Sequence, residues 1–573
     1  MRGAALVIQA LQAEGVKALF GYPGGTVLDI FDEIYSSGLP FYLTRHEQGA
    51  VHAADGYARA SGKVGMCIAT SGPGATNLVT GIATAHMDSI PLVVLTGQVA
   101  TSLIGNDAFQ EVDICGITRS ITKHNYLVRD IADLPQVLKS AFYIARSGRP
   151  GPVLIDLPKD IQQAETDEPY PDDIKLRSYR PTLRGNMQQL QKAAGLIDQS
   201  KKPVIFAGGG VVSSDAQNEI RLLSEILDAP VTTSLMGLGI FPETHSHALK
   251  MLGMHGTEYA NYAVQEADLL IAVGVRFDDR VTGKVDKFAP QAQIIHIDID
   301  PTSIRKNVQV TVPIVGDIRT VLQELNTLLK PRQNPQWMEQ IKTWKQRHPL
   351  RYPQTDKVQP QYVIEQLAKL TDNRAIICTE VGQNQMWTAQ FYNFHSSRSF
   401  LSSGGLGTMG YGFPAALGAQ VAWPDKLVID IAGDGSIQMN IQEMATAVLY
   451  DLPVKIIILN NHSLGMVRQW QSIFYDRRFS QTCLRRNKQC PPDCQQANGD
   501  CSAAYVPNFV KLAEAYGAHG FRIDHKDQVA DVLQTAITTP GPVIVEISID
   551  REENVYPMVP TGAPIHQMLR GMA

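Results

Sequence analysis

Short, almost uninterrupted apolar runs recur along the chain, among them VGMCIAT, PLVVLTG, KPVIFAGG, ADLLIAVGV, AQIIHIDID, KLVIDIAG and VKIIILNN. Runs of this length that do not alternate with polar residues predict strands buried on both faces. Between them lie helical stretches, the first with Val7, Ile8, Leu11 and Val16 along one side. Parallel sheets covered by helices follow, so the expected class is α/β. Polar, proline-containing segments near 166–186 and 331–358 break the rhythm and are expected to join domains. Three domains result, over 1–165, 187–330 and 358–573.

The first and third of these look like copies of one unit. Residues 66–98 and 427–461 both run strand, glycine turn, Asn, helix ending in Ala-Thr-Ala, Asp, Pro, strand. Any two βαβ units share some of this order, but duplication accounts for the coincidence better. Two copies with different turn chemistry suggest a cofactor lying between them, one copy gripping each end.

Composition narrows the class. A chain of 573 residues with 44% apolar content exceeds one core, and a net charge of −5 without a basic run argues against nucleic acid or an anionic membrane as partner. No run approaches the 18 to 20 or so apolar residues of a membrane span. With no evident signal or transit peptide, and with Cys67, Cys115 and Cys378 scattered among apolar neighbours, a cytoplasmic location is expected.

The strongest chemical motif is Gly433-Asp434-Gly435 after the strand LVIDIA, followed one helix and one strand later by Asn460-Asn461. A carboxylate and an amide oxygen at adjacent strand ends can hold Mg²⁺, which completes its shell with diphosphate oxygens. The glycines allow close backbone approach, and a helix expected next would offer its N-terminal amides. Gly-Asp-Gly alone reads better as an ordinary capped strand-to-helix turn; the paired asparagines at the right separation reverse that in favour of the ligand site. In the middle domain, Gly208-Gly209-Gly210 after PVIFA is weaker. It lacks the full dinucleotide fingerprint, and a purely structural domain reads as well as a dinucleotide site.

The Gly-Asp-Gly…Asn-Asn pattern resembles the signature of thiamine-diphosphate enzymes. Together with FGYPGG, RHEQGAVHAADGYAR, TSGPGATN, GVRFDDRVTGK, GGLGTMGYGFPAA and GMVRQWQ, the chain resembles the biosynthetic, FAD-containing acetohydroxyacid synthases (acetolactate synthases), catalytic subunit, over essentially its whole length. The resemblance implies decarboxylation of pyruvate on thiamine diphosphate and transfer of the hydroxyethyl unit to a second pyruvate or to 2-oxobutyrate. It implies Glu47 as the activator of the pyrimidine ring, Met409 as the apolar support over which the cofactor bends, and Gln383, Gly433, Gly435 and Ser436 as further cofactor contacts. Asp434 and Asn461 become the Mg²⁺ ligands. Arg280 would pair with the acceptor's carboxylate while Trp470 and Met254 shape its alkyl pocket. Phe109, Gln110 and Lys159 would line the channel, and Gly24 and Gly25 the turn beside the reacting carbon. Taken singly, Arg280 reads as a surface ion pair and Trp470 as a buried aromatic.

For the middle domain the resemblance implies FAD, held by Arg149, Gly209, His255, Gly274, Arg276, Asp298 and Asp317. It also implies a homodimer or homotetramer and a small regulatory subunit. A related oxidase on the same fold would share Glu47 and the diphosphate motif but would have no use for Arg280, Trp470 and Met254 together. A non-catalytic relative is disfavoured by intact Glu47, Asp434 and Asn461. One stretch departs from the family: an insertion at about 483–506 carrying Cys483, Cys490, Cys494 and Cys501. Their spacing lacks C-x-x-C knuckles, so zinc, a redox-sensitive disulfide and a tolerated surface insertion all stay open.

Overall fold

The computed structural model describes residues 1–485 and 507–571. Its strands form three six-stranded sheets, parallel in every pairing. The first contains β1 (Leu19–Tyr22), β2 (Phe41–Leu43), β3 (Gly65–Ala69), β4 (Leu92–Gln98), β5 (His124–Leu127) and β6 (Pro152–Pro158). The second contains β7 (Pro203–Ala207), β8 (Val231–Thr233), β9 (Ala248–Met251), β10 (Leu269–Val273), β11 (Gln293–Asp298) and β12 (Val312–Val315). The third contains β13 (Ile376–Thr379), β14 (Phe400–Leu401), β15 (Val428–Gly433), β16 (Lys455–Asn460), β17 (His519–Ile523) and β18 (Val543–Ser548).

Strand order carries the functional information. The first sheet runs β2-β1-β3-β4-β6-β5 and the third β14-β13-β15-β16-β18-β17, the same order shifted along the chain. The second runs β12-β11-β10-β7-β8-β9, the order of a dinucleotide-binding fold. In open sheets of this kind ligands collect beyond the carboxyl ends of the strands where the winding reverses. Those crossings are β1/β3, β10/β7 and β13/β15, and the residues following these six strands include Gly24, Gly25, Gly209, Gly274, Gln383 and Asp434.

Each sheet has an apolar cluster on both faces, as strands such as β4, β10 and β15, buried nearly throughout, require. The first and third units of the chain meet through helices Glu47–Ser61 and Gly412–Ala422. A Cβ on Gly56 would overlap the Ala415 carbonyl and one on Gly418 the Ala53 carbonyl, so glycine is what allows these two helices to touch backbone to backbone. The segment 331–358, expected as a bare connection, contains helix Pro335–Arg347; Trp337 and Ile341 bury themselves against the second sheet and give it a reason to form. Among the described residues no helix is long and apolar enough to cross a membrane.

Candidate active site

At the β13/β15 crossing a narrow cleft is lined by Gln383, Met409, Gly433, Asp434, Gly435, Ser436, Asn461, Ser463 and Gly465, with Leu464, Met466 and Val467 as its apolar wall. Gly433 pairs with Leu459 across β15 and β16, which sets Asp434 beside the Asn460-Asn461 pair. The two asparagines then part company. Asn460 turns inward and donates to Glu546 Oε1 at 2.8 Å, whereas Asn461 donates to Gln383 Oε1 at 3.1 Å inside the cleft. Burial pushes the Asp434 carboxyl up to about 7, although backbone amides of Asp434 itself and Asn461 partly stabilise its charge. A buried carboxylate in this state is a natural partner for a cation. The oxygen donors present, a carboxylate and an amide carbonyl, suit a hard ion such as Mg²⁺. Among the described residues no group of three His, Cys, Asp or Glu side chains could hold a metal by itself. Ser463 Oγ is buried here without a partner. A Cβ on Gly465 would collide with the Gln383 amide, and one on Gly435 would lie 2.8 Å from Leu464 Cδ2. The cleft therefore fits a compact, polar, anionic group with its cation.

The helix expected to follow Gly-Asp-Gly does not start there. Two 3₁₀ turns, Ile437–Met439 and Ile441–Glu443, precede the short helix Met444–Leu449. Asn440 explains the interruption: its backbone leaves helical angles, and its side chain donates to the Gly410 carbonyl at 2.6 Å. That bond, with Gly410 N–H donating to Glu380 Oε2 at 2.6 Å, clamps the residue after Met409 from both sides.

At the β1/β3 crossing stand Gly24 and Gly25, Thr70, Gly72 and Glu47. Glu47 opens helix Glu47–Ser61, half-buried, and its Oε2 accepts from Asn77 Nδ2 at 2.9 Å. A Cβ on Gly24 would lie 2.5 Å from Thr70 Cβ, and one on Gly74 would lie 3.3 Å from Glu47 Oε1. Gln110, in a left-handed conformation, lies against Gly72, where a Cβ would come within 2.8 Å of its carbonyl oxygen. Phe109 is 87% exposed. Lys159 begins the turn after β6, whose end pairs with that of β4. Glu47 is not among the residues lining the Asp434 cleft of its own chain.

Arg280, Trp470 and Met254 converge, although 216 positions separate the outer two. The Arg280 guanidinium carbon sits 5.9 Å from the Trp470 ring centroid, and its Nη1 lies 3.7 Å from Met254 Sδ. Helix Gly465–Phe474 links this group to the cleft: its first turn lines the Asp434 wall and its second carries Trp470. Among the described residues, exposed Asp279 at 3.8 Å is the ion-pair partner of Arg280.

At the β10/β7 crossing, Gly208 and Gly210 amides donate to the Val273 and Gly274 carbonyls, and Cβ atoms on Gly210 or Gly274 would collide with the opposing strand end. These glycines serve close packing of the crossing first. Beside it, Arg149 donates to Ser89 Oγ at 2.8 Å and to Asp300 at 3.1 Å, joining the first sheet's unit to the second. Burial pushes the Asp298 carboxyl up to about 6, and Arg276 reaches toward Asp278 at 3.7 Å. Asp317 caps helix Ile318–Leu328 through Thr320. His255 lies apart from this group, buried against the Pro557 carbonyl with its pKa lowered to about 4 by desolvation. The strand order and the polar groups of Arg149, Arg276 and Asp298 at this crossing suit a dinucleotide, while Asp317 and His255 have structural partners of their own.

Three family models match in succession: the thiamine pyrophosphate enzyme N-terminal TPP binding domain over 1–117, the central domain over 190–325, and the C-terminal TPP binding domain over 380–547. Over 99% of its length the chain is 48% identical to acetolactate synthase isozyme 3 large subunit of Escherichia coli (strain K12), covering 98% of that protein. It is 49% identical to the probable acetolactate synthase large subunit of Methanocaldococcus jannaschii, over 100% of this chain and 95% of that one. The chain belongs to the acetolactate synthase large-subunit family. As in that family's models, its thiamine pyrophosphate domains are the first and the third, which are the two sheets of identical strand order.

In this acetolactate synthase relative, inspection of motifs missed the residues that hold the site rather than line it. Glu380, Asn440, Glu443 and Asn77 are polar residues inside apolar neighbourhoods, and only three-dimensional partners reveal them. Asn77 was within reach, since it closes the TSGPGATN motif. Of the insertion's cysteines, Cys483 is a free thiol in a bridge pairing with Ser463 at the cleft wall. Cys490, Cys494 and Cys501 lie outside the described residues.

Proposed function

We propose that the chain decarboxylates pyruvate with thiamine diphosphate and Mg²⁺ and joins the remaining two carbons to a second pyruvate or to 2-oxobutyrate. The products are 2-acetolactate and 2-aceto-2-hydroxybutyrate, in the first common step of branched-chain amino acid synthesis. When bound, the cofactor would supply a nucleophilic carbon to attack the ketone and a cationic ring to take up the electrons released as carbon dioxide leaves. Asp434 and Asn461 would hold the metal, and Gln383, Gly433, Gly435 and Ser436 would surround the diphosphate. Met409, with its following residue clamped by Glu380 and Asn440, would support the bent cofactor. Glu47 would hold a proton against the pyrimidine nitrogen. Because Glu47 does not line its own chain's cleft, a complete site calls for Glu47 from a second copy, hence a homodimer or homotetramer.

The observation that carries carboligation is the meeting of Arg280, Trp470 and Met254 one helical turn from the cleft. Arg280 would bind the acceptor's carboxylate, and Trp470 and Met254 would shape the space for its alkyl group. Gln110, Lys159, Phe109 and the Gly24-Gly25 turn would line the approach. FAD would lie at the β10/β7 crossing among Gly209, Gly274, Arg149, Arg276 and Asp298, with Asp317 and His255 as outer members. The relatives are named large subunits, which supports a small regulatory companion. The buried free thiols Cys67 and Cys378 support a reducing, cytoplasmic setting.

The test is to incubate the protein with pyruvate, thiamine diphosphate, Mg²⁺ and FAD, with and without 2-oxobutyrate, and to measure acetolactate after acid conversion to acetoin. Acetolactate that needs the cofactor and falls in Arg280→Ala supports the reading. Acetate with oxygen uptake instead would replace it with an oxidase.

A further inference from the structure

The turn that presents Glu47 is gripped by a residue from the other end of the chain. Glu443 Oε1 and Oε2 accept from Arg45 N at 3.0 and 3.1 Å, and Oε1 also accepts from His46 N at 3.0 Å. Thr446 completes the grip, donating to Glu443 Oε2 at 2.7 Å and to the Leu43 carbonyl at 3.1 Å. Leu43 N–H in turn donates to Tyr450 Oη at 2.9 Å. The carboxylate is wholly buried, and a Cβ on Gly49 would collide with it, so glycine at 49 makes room for this contact. A buried carboxylate that accepts several amide bonds holds its donors firmly, because each donor would otherwise be left unpaired.

Glu443 also closes the segment that starts at Asp434. Within ten residues this segment supplies Asp434 to the cleft, Asn440 to the clamp beside Met409, and Glu443 to the lead-in of Glu47. Its 3₁₀ turns leave little slack between these three points.

We propose that Glu443 is a positioning residue for Glu47, and that the 434–443 segment mechanically links the diphosphate cleft of one site to the Glu47 turn of its own chain. The proposal rests on the assignment of Glu47 above. Since Glu47 does not line its own chain's cleft, the link runs from one cofactor site to the glutamate serving the other. Glu443 touches no reacting atom; it acts through the backbone of Arg45 and His46.

The test compares wild type with Glu443→Gln, Glu443→Asp and Glu47→Gln, each loaded with thiamine diphosphate and Mg²⁺. The first measurement is exchange of the cofactor C2 proton with D₂O, followed by NMR after acid quench. The second is amide hydrogen exchange at Arg45 and His46 with and without the cofactor. Glutamine keeps one acceptor and the side-chain shape, so Glu443→Gln should fold; aspartate keeps the charge but falls one methylene short. Slowing of C2 exchange by roughly 10-fold or more in both Glu443 variants is expected, with the cofactor's dissociation constant unchanged within about 3-fold. Cofactor binding should raise protection at Arg45 and His46 in wild type and fail to do so in Glu443→Gln. If Glu47→Gln abolishes C2 exchange while both Glu443 variants match wild type in exchange and protection, the positioning role is wrong and the function stands. If Glu47→Gln itself exchanges like wild type, the assignment of Glu47 fails first.

Discussion

The first and third sheets have one strand order and opposite duties. At the β1/β3 crossing stand glycines, threonines and one half-buried glutamate. At the β13/β15 crossing they include a buried aspartate, the amides of Gln383, Asn384 and Asn461, and several glycines. The same architecture thus delivers proton chemistry at one end and cation and anion binding at the other. A strand order decides where side chains gather, not which ones; the short loop sequences decide that.

The sharpest way to break this contrast is to exchange the effects of the two acids. Glu47→Gln should lower kcat by about 10²- to 10⁴-fold while cofactor affinity stays near wild type. Steady-state rates together with calorimetric titration of thiamine diphosphate measure both, and a loss of affinity instead would move Glu47 to the binding side. Asp434→Ala should do the reverse, weakening Mg²⁺-dependent cofactor binding on the order of 100-fold or more. Unchanged binding there would remove Asp434 from the metal site.

The units also meet each other, and that contact is expected to be less costly to damage than the site. Gly418→Val would press on the Ala53 backbone across the helix pair, and overpacking of this kind costs about 1–3 kcal/mol. Thermal unfolding of the cofactor-free protein would show it as a lower Tm. An unchanged Tm would mean that the two units separate more readily than their packing implies.

The smallest expected effect concerns buried acids. In the first sheet Asp156 accepts from Thr96 and Gln98, and burial pushes its pKa up to about 7. In the third, Asp430 has both oxygens buried without a partner, and burial together with the charge of Glu380 raises its pKa well above the ordinary carboxylate range. For Asp156 the folded pKa lies above the unfolded one, so the folded protein holds the extra proton between about pH 4 and pH 7. Its contribution to stability is complete below about pH 4 and is lost as pH rises to 7. Asp156→Asn, which carries no charge to bury, should therefore gain Tm relative to wild type as pH rises across that window. A constant Tm difference from pH 4 to 8 would show that Asp156 does not titrate there.

Much of this was legible in the chain. Apolar runs at β3, β4, β7, β10, β11, β15 and β16 identify buried parallel strands because both faces of each strand must be apolar. Gly-Asp-Gly and Asn-Asn mark the cation site because a hard cation needs oxygen ligands and a diphosphate needs backbone room. The match between residues 66–98 and 427–461 anticipates two sheets of one order. Helix Pro335–Arg347 was not legible, since its two anchoring apolar residues, Trp337 and Ile341, stand among prolines and charges.

By itself the sequence determined the α/β class, the repeated unit and the kind of chemistry, because strand burial and ligand preference are properties of local residue type. Only the tertiary structure shows that Asn460 turns inward to Glu546 while Asn461, already singled out by the resemblance, enters the cleft, and that Arg280 lies against both Met254 and Trp470. It alone shows that Glu443 holds the backbone ahead of Glu47. Each of these depends on contacts between residues far apart in the chain, and local composition carries no record of which distant backbone a polar side chain will meet.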